Sequence, residues 1–224
     1  MTNIGTEKME LHVIDQTNSI VNHFIAEMRN IKVQGDRMRF RRNMRRIGTM
    51  MAYEFSKTLS YEEKAIQTPL DMAMVPHYSE SLYLMTILRA GMPYYEGFLE
   101  VFDHIDSGFV GAYRAGEGAD PNIQLDYMAA NKLADKEVLF VDPMLATGNS
   151  LVKAFHNLVK HAGKPAKAHF FSIIGTAPAV ENLQKNIDVP GSVWLGAMDP
   201  KLNEKAYIVP GLGDAGDLSY GPKL

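Results

Sequence analysis

The residues from Asp142 to Ser150 have the types and spacing of a phosphate-binding loop. Asp142 follows a short apolar run, Val138–Val141, and Thr147-Gly148-Asn149-Ser150 opens a helical pattern. Unpaired backbone N–H groups at a helix start, a glycine and nearby hydroxyl groups can all approach one anion, and the helix dipole favours it. The Gly-Lys-Ser/Thr ending of a Walker loop is missing. The loop therefore predicts a site for a single phosphate.

Asp142 separates this loop from an ordinary helix cap. Ser, Thr and Asn are favoured caps everywhere, so Thr147–Ser150 taken alone leaves the capping and phosphate-binding interpretations evenly balanced. A carboxylate at Asp142 can accept hydrogen bonds from ribose hydroxyls while the loop beyond it holds a 5′-phosphate. Together these residues predict a clamp for a ribose 5-phosphate group.

An α/β pattern after residue 80 predicts the elements that position this loop. Buried strand-like runs alternate with helical ones, at Leu82–Leu88, Tyr95–Phe102, Phe109–Tyr113, Val138–Val141, Leu151–His161, Ala168–Ile174, Val180–Asn186 and Val193–Ala197. This alternation is typical of an α/β fold with a largely parallel, twisted sheet flanked by helices. Ligands of such sheets bind at the carboxyl ends of the strands, which is where Asp142 lies.

The N-terminal part predicts helices and a projecting hairpin. Apolar residues recur at helical spacing over Ile20–Met28 and again over Phe40–Met51. The segment Ala65–Val75 is broken at Thr68–Asp71 and reads as strand, turn and strand. We therefore expect a single domain over 1–224, with a helical N-terminal extension at 1–60 and a hairpin arm at 65–75.

Composition excludes several classes of function. The chain has 224 residues, 46% hydrophobic content, a net charge of -3 and no cysteine. Disulfides, thiolate zinc sites and a cysteine nucleophile are excluded, and the charge gives no general attraction to nucleic acid or membrane. Neither a secretory pattern nor a run of about 20 apolar residues is found. We expect a soluble cytoplasmic protein without a membrane partner.

An arginine-rich stretch suggests an alternative function. Its members are Arg37, Arg39, Arg41, Arg42, Arg45 and Arg46. They could bind RNA or a nucleotide, but Phe40, Met44 and Ile47 recur on the opposite side of a helix. We favour a helix with a solvated charged face, which makes nucleic acid an unlikely partner.

Three segments resemble one protein family. Val141–Ser150, with proline directly after Asp142, is similar to the 5-phosphoribosyl 1-pyrophosphate (PRPP) motif of uracil phosphoribosyltransferases, a type I phosphoribosyltransferase family. Ile87–Gly91 and Leu202–Asp217 also resemble this family, and the similarity covers roughly residues 39–220. Asn149 stands where relatives commonly have a second glycine.

The resemblance implies a PRPP site. Its residues would be Arg89, Arg114, Asp142, Pro143, Met144, Leu145, Ala146, Thr147, Gly148, Asn149, Ser150 and Asp214. Arg89 and Arg114 match arginines that bind pyrophosphate, and the loop Ala115–Asn122 is expected to close over the site. Asp142, Asp214 and Arg89 are the expected catalytic residues.

The resemblance also implies the acceptor base. Ile208 and Gly213-Asp214-Ala215 match positions that bind uracil, within a base-binding C-terminal segment at 200–224. The expected reaction is uracil plus PRPP giving UMP and pyrophosphate, through an oxocarbenium-like transition state. It depends on Mg²⁺, which is held mainly by PRPP and not by protein ligands.

Expectations about partners follow from the same resemblance. It implies a homodimer or a higher homo-oligomer, and GTP is a possible effector. The alternative function is a regulatory protein that senses PRPP or nucleotides, with reduced catalysis, and binds RNA through the arginine-rich helix. An intact base-binding segment favours the enzyme.

Overall fold

Strands and helices alternate along most of the protein. The computed structural model describes residues 9–115 and 122–222, with the backbone alone described at 112–115 and 122–126. The strands are β1 (Glu10–Val13), β2 (Tyr61–Gln67), β3 (Met72–Tyr78), β4 (Leu82–Leu88), β5 (Asp106–Ala115), β6 (Asn122–Ala129), β7 (Glu137–Val141), β8 (Met144–Leu145), β9 (Lys167–Thr176), β10 (Gly191–Asp199), β11 (Lys201–Leu202) and β12 (Ile208–Val209). The helices are α1 (Ile20–Arg29), α2 (Arg37–Ser56), α3 (Met92–Leu99), α4 (Asn149–Ala162), α5 (Ala177–Asn186) and α6 (Ala215–Tyr220).

The main sheet is largely parallel. Its strand order is β1-β10-β9-β7-β4-β5-β6, and the short β8 pairs with β9. Every neighbouring pair is parallel except β5 and β6. The predicted α/β class is confirmed.

Three strands of this sheet, β1, β6 and the two-residue β8, lie outside the sequence prediction. The antiparallel β6 was not expected. The segment 1–60, predicted as helical, contributes β1 to the sheet edge beside β10, so the helical description is wrong at Glu10–Val13. With only four residues, β1 is too short for its apolar periodicity to be recognised.

Helices cover both faces of the sheet. In β7, Leu139 and Val141 belong to a core shared with α1, α2 and α3, whereas Val138 and Phe140 belong to a core shared with α4 and α5. This alternation follows from the period of two in a strand, and it explains why all five residues of β7 are buried. The layered core fixes the carboxyl ends of the strands.

The predicted N-terminal helices are present and well capped. Ser19 caps α1 through its hydroxyl, which accepts from Val21 N at 3.3 Å. Asp36 caps α2, its Oδ1 accepting from both Met38 N and Arg39 N at 3.0 Å. The apolar stripes of both helices lie in or against the core, as their spacing predicted, except at Ile20, which is 54% exposed, so the prediction is wrong at the first residue of α1.

The projecting hairpin is longer than predicted. Strands β2 and β3 pair antiparallel from Tyr61 and Tyr78 to Gln67 and Met72. Every residue of β2 is exposed.

Among the described helices, none has the length and apolar character required to cross a bilayer.

Candidate active site

A cavity of about 200 Å³ lies at the carboxyl ends of β4 and β7. These strands are neighbours in the sheet, but the chain leaves them in opposite directions. From β4 it passes through α3 to β5, and from β7 through α4 to β9. Open α/β sheets bind their ligands at such a switch point, so the topology itself places a ligand site here.

The cavity gathers most of the residues predicted from the sequence. Those that line it are Arg89, Asp142, Met144, Leu145, Ala146, Thr147, Gly148, Ser150, Ile208, Gly213, Asp214 and Ala215. Segments separated by more than a hundred residues in sequence therefore meet around one space.

Two predicted residues of the loop do not line the cavity. The Pro143 carbonyl accepts from Ile173 N at 3.1 Å and from Ile174 N at 3.2 Å, which ties the loop to β9. The Asn149 side chain accepts from Asn182 Nδ2 at 2.8 Å. Pro143 and Asn149 therefore hold the loop in place through these hydrogen bonds, without lining the cavity.

The predicted phosphate-binding loop contains a left-handed glycine just before α4. Gly148 has φ +79°, and a Cβ there would lie 3.0 Å from the Ala179 carbonyl oxygen. Backbone and space thus both require glycine. Asn149 begins α4, and its N–H reaches Thr147 Oγ1 at 3.4 Å. The predicted helix start at Thr147–Ser150 is therefore present beside the cavity.

Asp142 stands where β7 ends. Its backbone N–H donates to the Phe171 carbonyl at 3.0 Å, which fixes the residue against β9. The fully buried Tyr94 of α3 responds to it, because burial and then the Asp142 charge raise the Tyr94 pKa well above its ordinary value. Tyr94 therefore remains an uncharged hydroxyl in the core near Asp142.

Arg89 follows β4 and contacts the C-terminal segment. The Leu88–Arg89 peptide bond is cis. Arg89 Nη2 donates to the Gly221 carbonyl at 3.1 Å and lies 3.5 Å from Asp217 Oδ1. Its guanidinium carbon is 5.8 Å from the centre of the Tyr220 ring, and the side chain is 41% exposed. An arginine exposed to this extent can still reach an anionic ligand in the cavity.

The predicted base-binding segment is held by its own turn. Ile208, at the start of β12, is buried, and Asp214 caps α6. Asp214 Oδ1 accepts from Gly216 N at 2.8 Å and from Asp217 N at 3.0 Å. The cap fixes the Asp214 backbone at the cavity wall and orients its carboxylate.

Arg114 is the second predicted pyrophosphate-binding residue. Arg114 lies in β5, opposite Ile123 of β6, and its side chain is outside the described residues. Residues 116–121 of the predicted closing loop also lie outside them.

Comparison with known proteins identifies the family. A family model described as uracil phosphoribosyltransferase matches residues 15–222. The chain belongs to the uracil phosphoribosyltransferase family. The predicted type I phosphoribosyltransferase-like fold is therefore confirmed.

Curated members of the uracil phosphoribosyltransferase family align over nearly the whole chain. The uracil phosphoribosyltransferase of Porphyromonas gingivalis is 42% identical over 217 residues, covering 96% of this chain and 100% of the relative. That of Methanothermobacter thermautotrophicus is 38% identical, covering 96% and 97%. The solved structure of the AQ2163 protein from Aquifex aeolicus is 28% identical with a TM-score of 0.83, covering 94% and 98%.

Family membership does not favour the regulatory alternative. Three arginines of α2 also bond to groups within this protein. Arg39 pairs with Glu27 at 3.0 Å, and Arg45 pairs with Glu100 at 2.5 Å. Arg41 Nη1 donates to the Ser219 carbonyl at 2.6 Å. Five of the six arginines are exposed, all except the half-buried Arg41, so the predicted solvated face of α2 is confirmed, with Arg39 and Arg45 forming ion pairs on it.

Several cavity residues were not singled out from the sequence. They are Ile87, Leu88, Ala90, Leu151, Ala206, Tyr207 and Gly216. All except Leu151 lie within Ile87–Gly91 or Leu202–Asp217. The family resemblance of these two segments therefore indicated the right regions of the chain, but not these individual residues.

Proposed function

We propose that this chain transfers the 5-phosphoribosyl group of PRPP to N1 of uracil, giving UMP and pyrophosphate in pyrimidine salvage. One observation carries the proposal: a single cavity joins the phosphate loop, Arg89 and the base-binding segment. In the reaction the bond from the anomeric carbon to pyrophosphate breaks, a bond to N1 forms, and the N1 proton is released.

The loop after β7 would hold the ribose phosphate. Thr147, Gly148 and Ser150, around the start of α4, line the same cavity as Asp142, and their backbone N–H groups and hydroxyls would bind the 5′-phosphate. Asp142 would accept hydrogen bonds from the ribose hydroxyls, and its charge would stabilise the positive charge that develops on the sugar. The ribose is thereby held at both ends.

Arg89 would bind the pyrophosphate at the neighbouring strand end. Charge-assisted hydrogen bonds from a guanidinium strengthen as the leaving group gains negative charge. Arg114 is proposed as a second pyrophosphate ligand on the basis of the family resemblance.

The donor set fits magnesium held by substrate. Among the described residues no cluster of three or more His, Asp or Glu could enclose a metal ion. Mg²⁺ is usually bound by one or two carboxylates together with substrate phosphates and water, and Asp142 and Asp214 are the carboxylates on the cavity wall. When bound, Mg²⁺ would neutralise charge on the pyrophosphate.

The base would lie against the C-terminal segment. Uracil is small, uncharged and polar at its edge, so backbone groups of Ile208 and Gly213–Ala215 can read its carbonyl and N–H groups. Asp214 lies between base and sugar subsites in this arrangement and is the proposed catalytic residue nearest the reacting centre.

A direct assay tests the proposal. The protein is incubated with PRPP, Mg²⁺ and uracil, with cytosine, hypoxanthine and orotate in parallel, and nucleotide formation is followed. UMP formation with uracil alone is the expected result. Turnover with another base and none with uracil would show the proposed function to be wrong.

Assembly and regulation are also proposals. The exposed apolar side chains of the hairpin, with Leu70 at 96% and Met74 at 62% exposure, support a homodimer or higher homo-oligomer. GTP as an effector stays a prediction, with the arginines of α2 as its candidate ligands. A cytoplasmic location likewise stays a prediction.

A further inference from the structure

Gly211 is held through both of its backbone polar groups. Its N–H donates to Asp199 Oδ2 at 3.0 Å, and its carbonyl accepts from Arg29 Nη1 at 3.0 Å. Gly211 has φ +63°, and a Cβ there would lie 2.1 Å from the Ile208 carbonyl oxygen. The turn between Ile208 and Gly213 is therefore tight and anchored at its middle residue.

The two side chains that hold Gly211 also bind each other. Arg29 Nη1 and Nη2 each lie 2.8 Å from an oxygen of Asp199. Asp199 is 5% exposed and Arg29 23%, so this forked ion pair is mostly withdrawn from water. Such bidentate pairs fix geometry as well as charge.

The pair connects three elements that are distant in sequence. Arg29 is the last residue of α1, Asp199 ends β10, and Gly211 follows β12. Gln34 adds a second link, because its Nε2 donates to both the Met28 carbonyl at 2.7 Å and the Leu212 carbonyl at 3.1 Å. Arg29 and Gln34 thus donate hydrogen bonds to the carbonyl groups of two consecutive residues of the base-binding segment, Gly211 and Leu212.

A further carboxylate is close to the pair. Burial raises the pKa of Asp15, Arg29 lowers it, and Asp199 raises it, with an upward net shift. Asp15 is thus within electrostatic range of both members of the pair.

We infer that Arg29 and Asp199 are positioning residues that set the uracil subsite. Neither lines the cavity, and they act through Gly211 on the flanking cavity residues Ile208 and Gly213. This inference rests on the proposed function, because it takes those flanking residues as the base-binding ones. A loosened turn would misplace the backbone groups that read the base while leaving the phosphate loop in place.

The inference is tested with Arg29→Lys and Arg29→Ala in the full-length protein. Arg29→Lys keeps the positive charge but cannot make the two parallel hydrogen bonds to the Asp199 carboxylate. We expect KM for uracil to rise about tenfold, with KM for PRPP changed by less than about twofold. In Arg29→Ala the uracil KM should rise further, and added methylguanidinium should restore part of it, since the side chain is 23% exposed.

Two controls separate positioning from general destabilisation. Val180 lies in the core layer on the other face of the sheet, which does not include the C-terminal segment. Val180→Ala should therefore lower stability without changing that segment. Lys164→Ala removes an exposed cation, outside the proposed sites, that pairs with Asp188. Both should leave the ratio of the two KM values unchanged.

The outcomes are distinct. If wild-type protein makes no UMP, the proposed function fails. If wild-type protein makes UMP but the Arg29 variants keep a wild-type uracil KM, or raise both KM values equally, the positioning inference is overturned. A selective rise in uracil KM, reversed by methylguanidinium, supports it.

Discussion

The side chain of Asn182 on α5 bonds to Asn149 at the start of α4. Asn182 Nδ2 lies 2.8 Å from Asn149 Oδ1 and 2.7 Å from the Thr147 carbonyl oxygen. A side-chain amide has two N–H donors, so both are used on the phosphate loop. Asn182 Oδ1 in turn accepts from Asn186 Nδ2 at 2.7 Å, which fixes the amide orientation.

We predict that Asn182→Ala weakens PRPP binding. The loop would lose two neutral hydrogen bonds, each contributing about 0.5–1.5 kcal/mol, and Kd should rise roughly tenfold. Calorimetric titration with PRPP measures the change. Lys185→Ala, an exposed residue of the same helix, is the matched control, and equal Kd values for the two variants would contradict the prediction.

The sequence revealed the loop but not its support. Asp142 and Thr147–Ser150 are neighbours in the chain, so their spacing alone predicted a site. Asn182 is 33 residues from Asn149, and Asp199 is 170 residues from Arg29. No local periodicity encodes such contacts, because they arise only when α5 packs beside α4 and when α1 reaches the end of β10.

The same limit applies to the fold. Long periodic stretches such as α2 were predicted because an apolar stripe repeats over several turns. The short edge strand β1 and the antiparallel β6 were missed, since their strand character depends on pairing with β10 and β5. Tertiary pairing, and not local propensity, decides such segments.

We predict that Arg89→Ala lowers kcat/KM by about 10- to 150-fold. Each charge-assisted hydrogen bond to pyrophosphate contributes about 1.5–3 kcal/mol, which corresponds to that range. Steady-state kinetics with varied PRPP measure it. Asp217→Asn serves as the control, because its 3.5 Å contact with Arg89 is an exposed ion pair worth little. Wild-type kinetics in the Arg89 variant would refute the assigned role.

We predict that Asp142→Asn weakens PRPP binding while the protein still folds. The backbone bond from Asp142 N to the Phe171 carbonyl does not depend on the side chain and remains. An amide accepts at one oxygen where a carboxylate accepts at two, so the ribose hydroxyls lose a partner. Calorimetry should give a Kd raised roughly tenfold or more, given about 1.5–3 kcal/mol for a hydrogen bond to a charged group. An unchanged affinity would count against ribose binding by Asp142.

We predict that Met74→Lys on the hairpin shifts the proposed homo-oligomer toward monomer. Met74 is 62% exposed and Met72, two residues away on the same face of β3, is 53% exposed. A lysine costs little in a monomer, where the side chain is already in water, but a charge buried at an interface is unfavourable. Sedimentation velocity over a range of concentrations measures the shift. Met198→Lys, at a 42% exposed methionine outside the hairpin, is the control, and identical sedimentation of wild type and Met74→Lys would exclude the hairpin as the interface.

We predict that Glu137 makes the protein sensitive to acid without affecting catalysis. Glu137 is the first residue of β7, whereas Asp142 follows the last residue of that strand. The Glu137 carboxylate lies 2.7 Å from Lys167 Nζ and 3.2 Å from His169 Nε2. Burial raises the Glu137 pKa, but the bonds and charges of His169 and Lys167 outweigh it, and the pKa lies below its ordinary 4.5.

A carboxyl pKa lowered on folding stabilises the protein above the unfolded value, and this stability is lost as pH falls through the folded value. Wild-type protein should therefore have a higher Tm than Glu137→Gln near neutral pH, and this gap should shrink as the pH falls below the ordinary glutamate pKa of 4.5. Thermal denaturation of both proteins from neutral to acidic pH measures it, with kcat at neutral pH expected to be equal. A Tm gap that stays constant down to the lowest pH would mean that the Glu137 charge contributes nothing to folding, and that packing alone explains the loss.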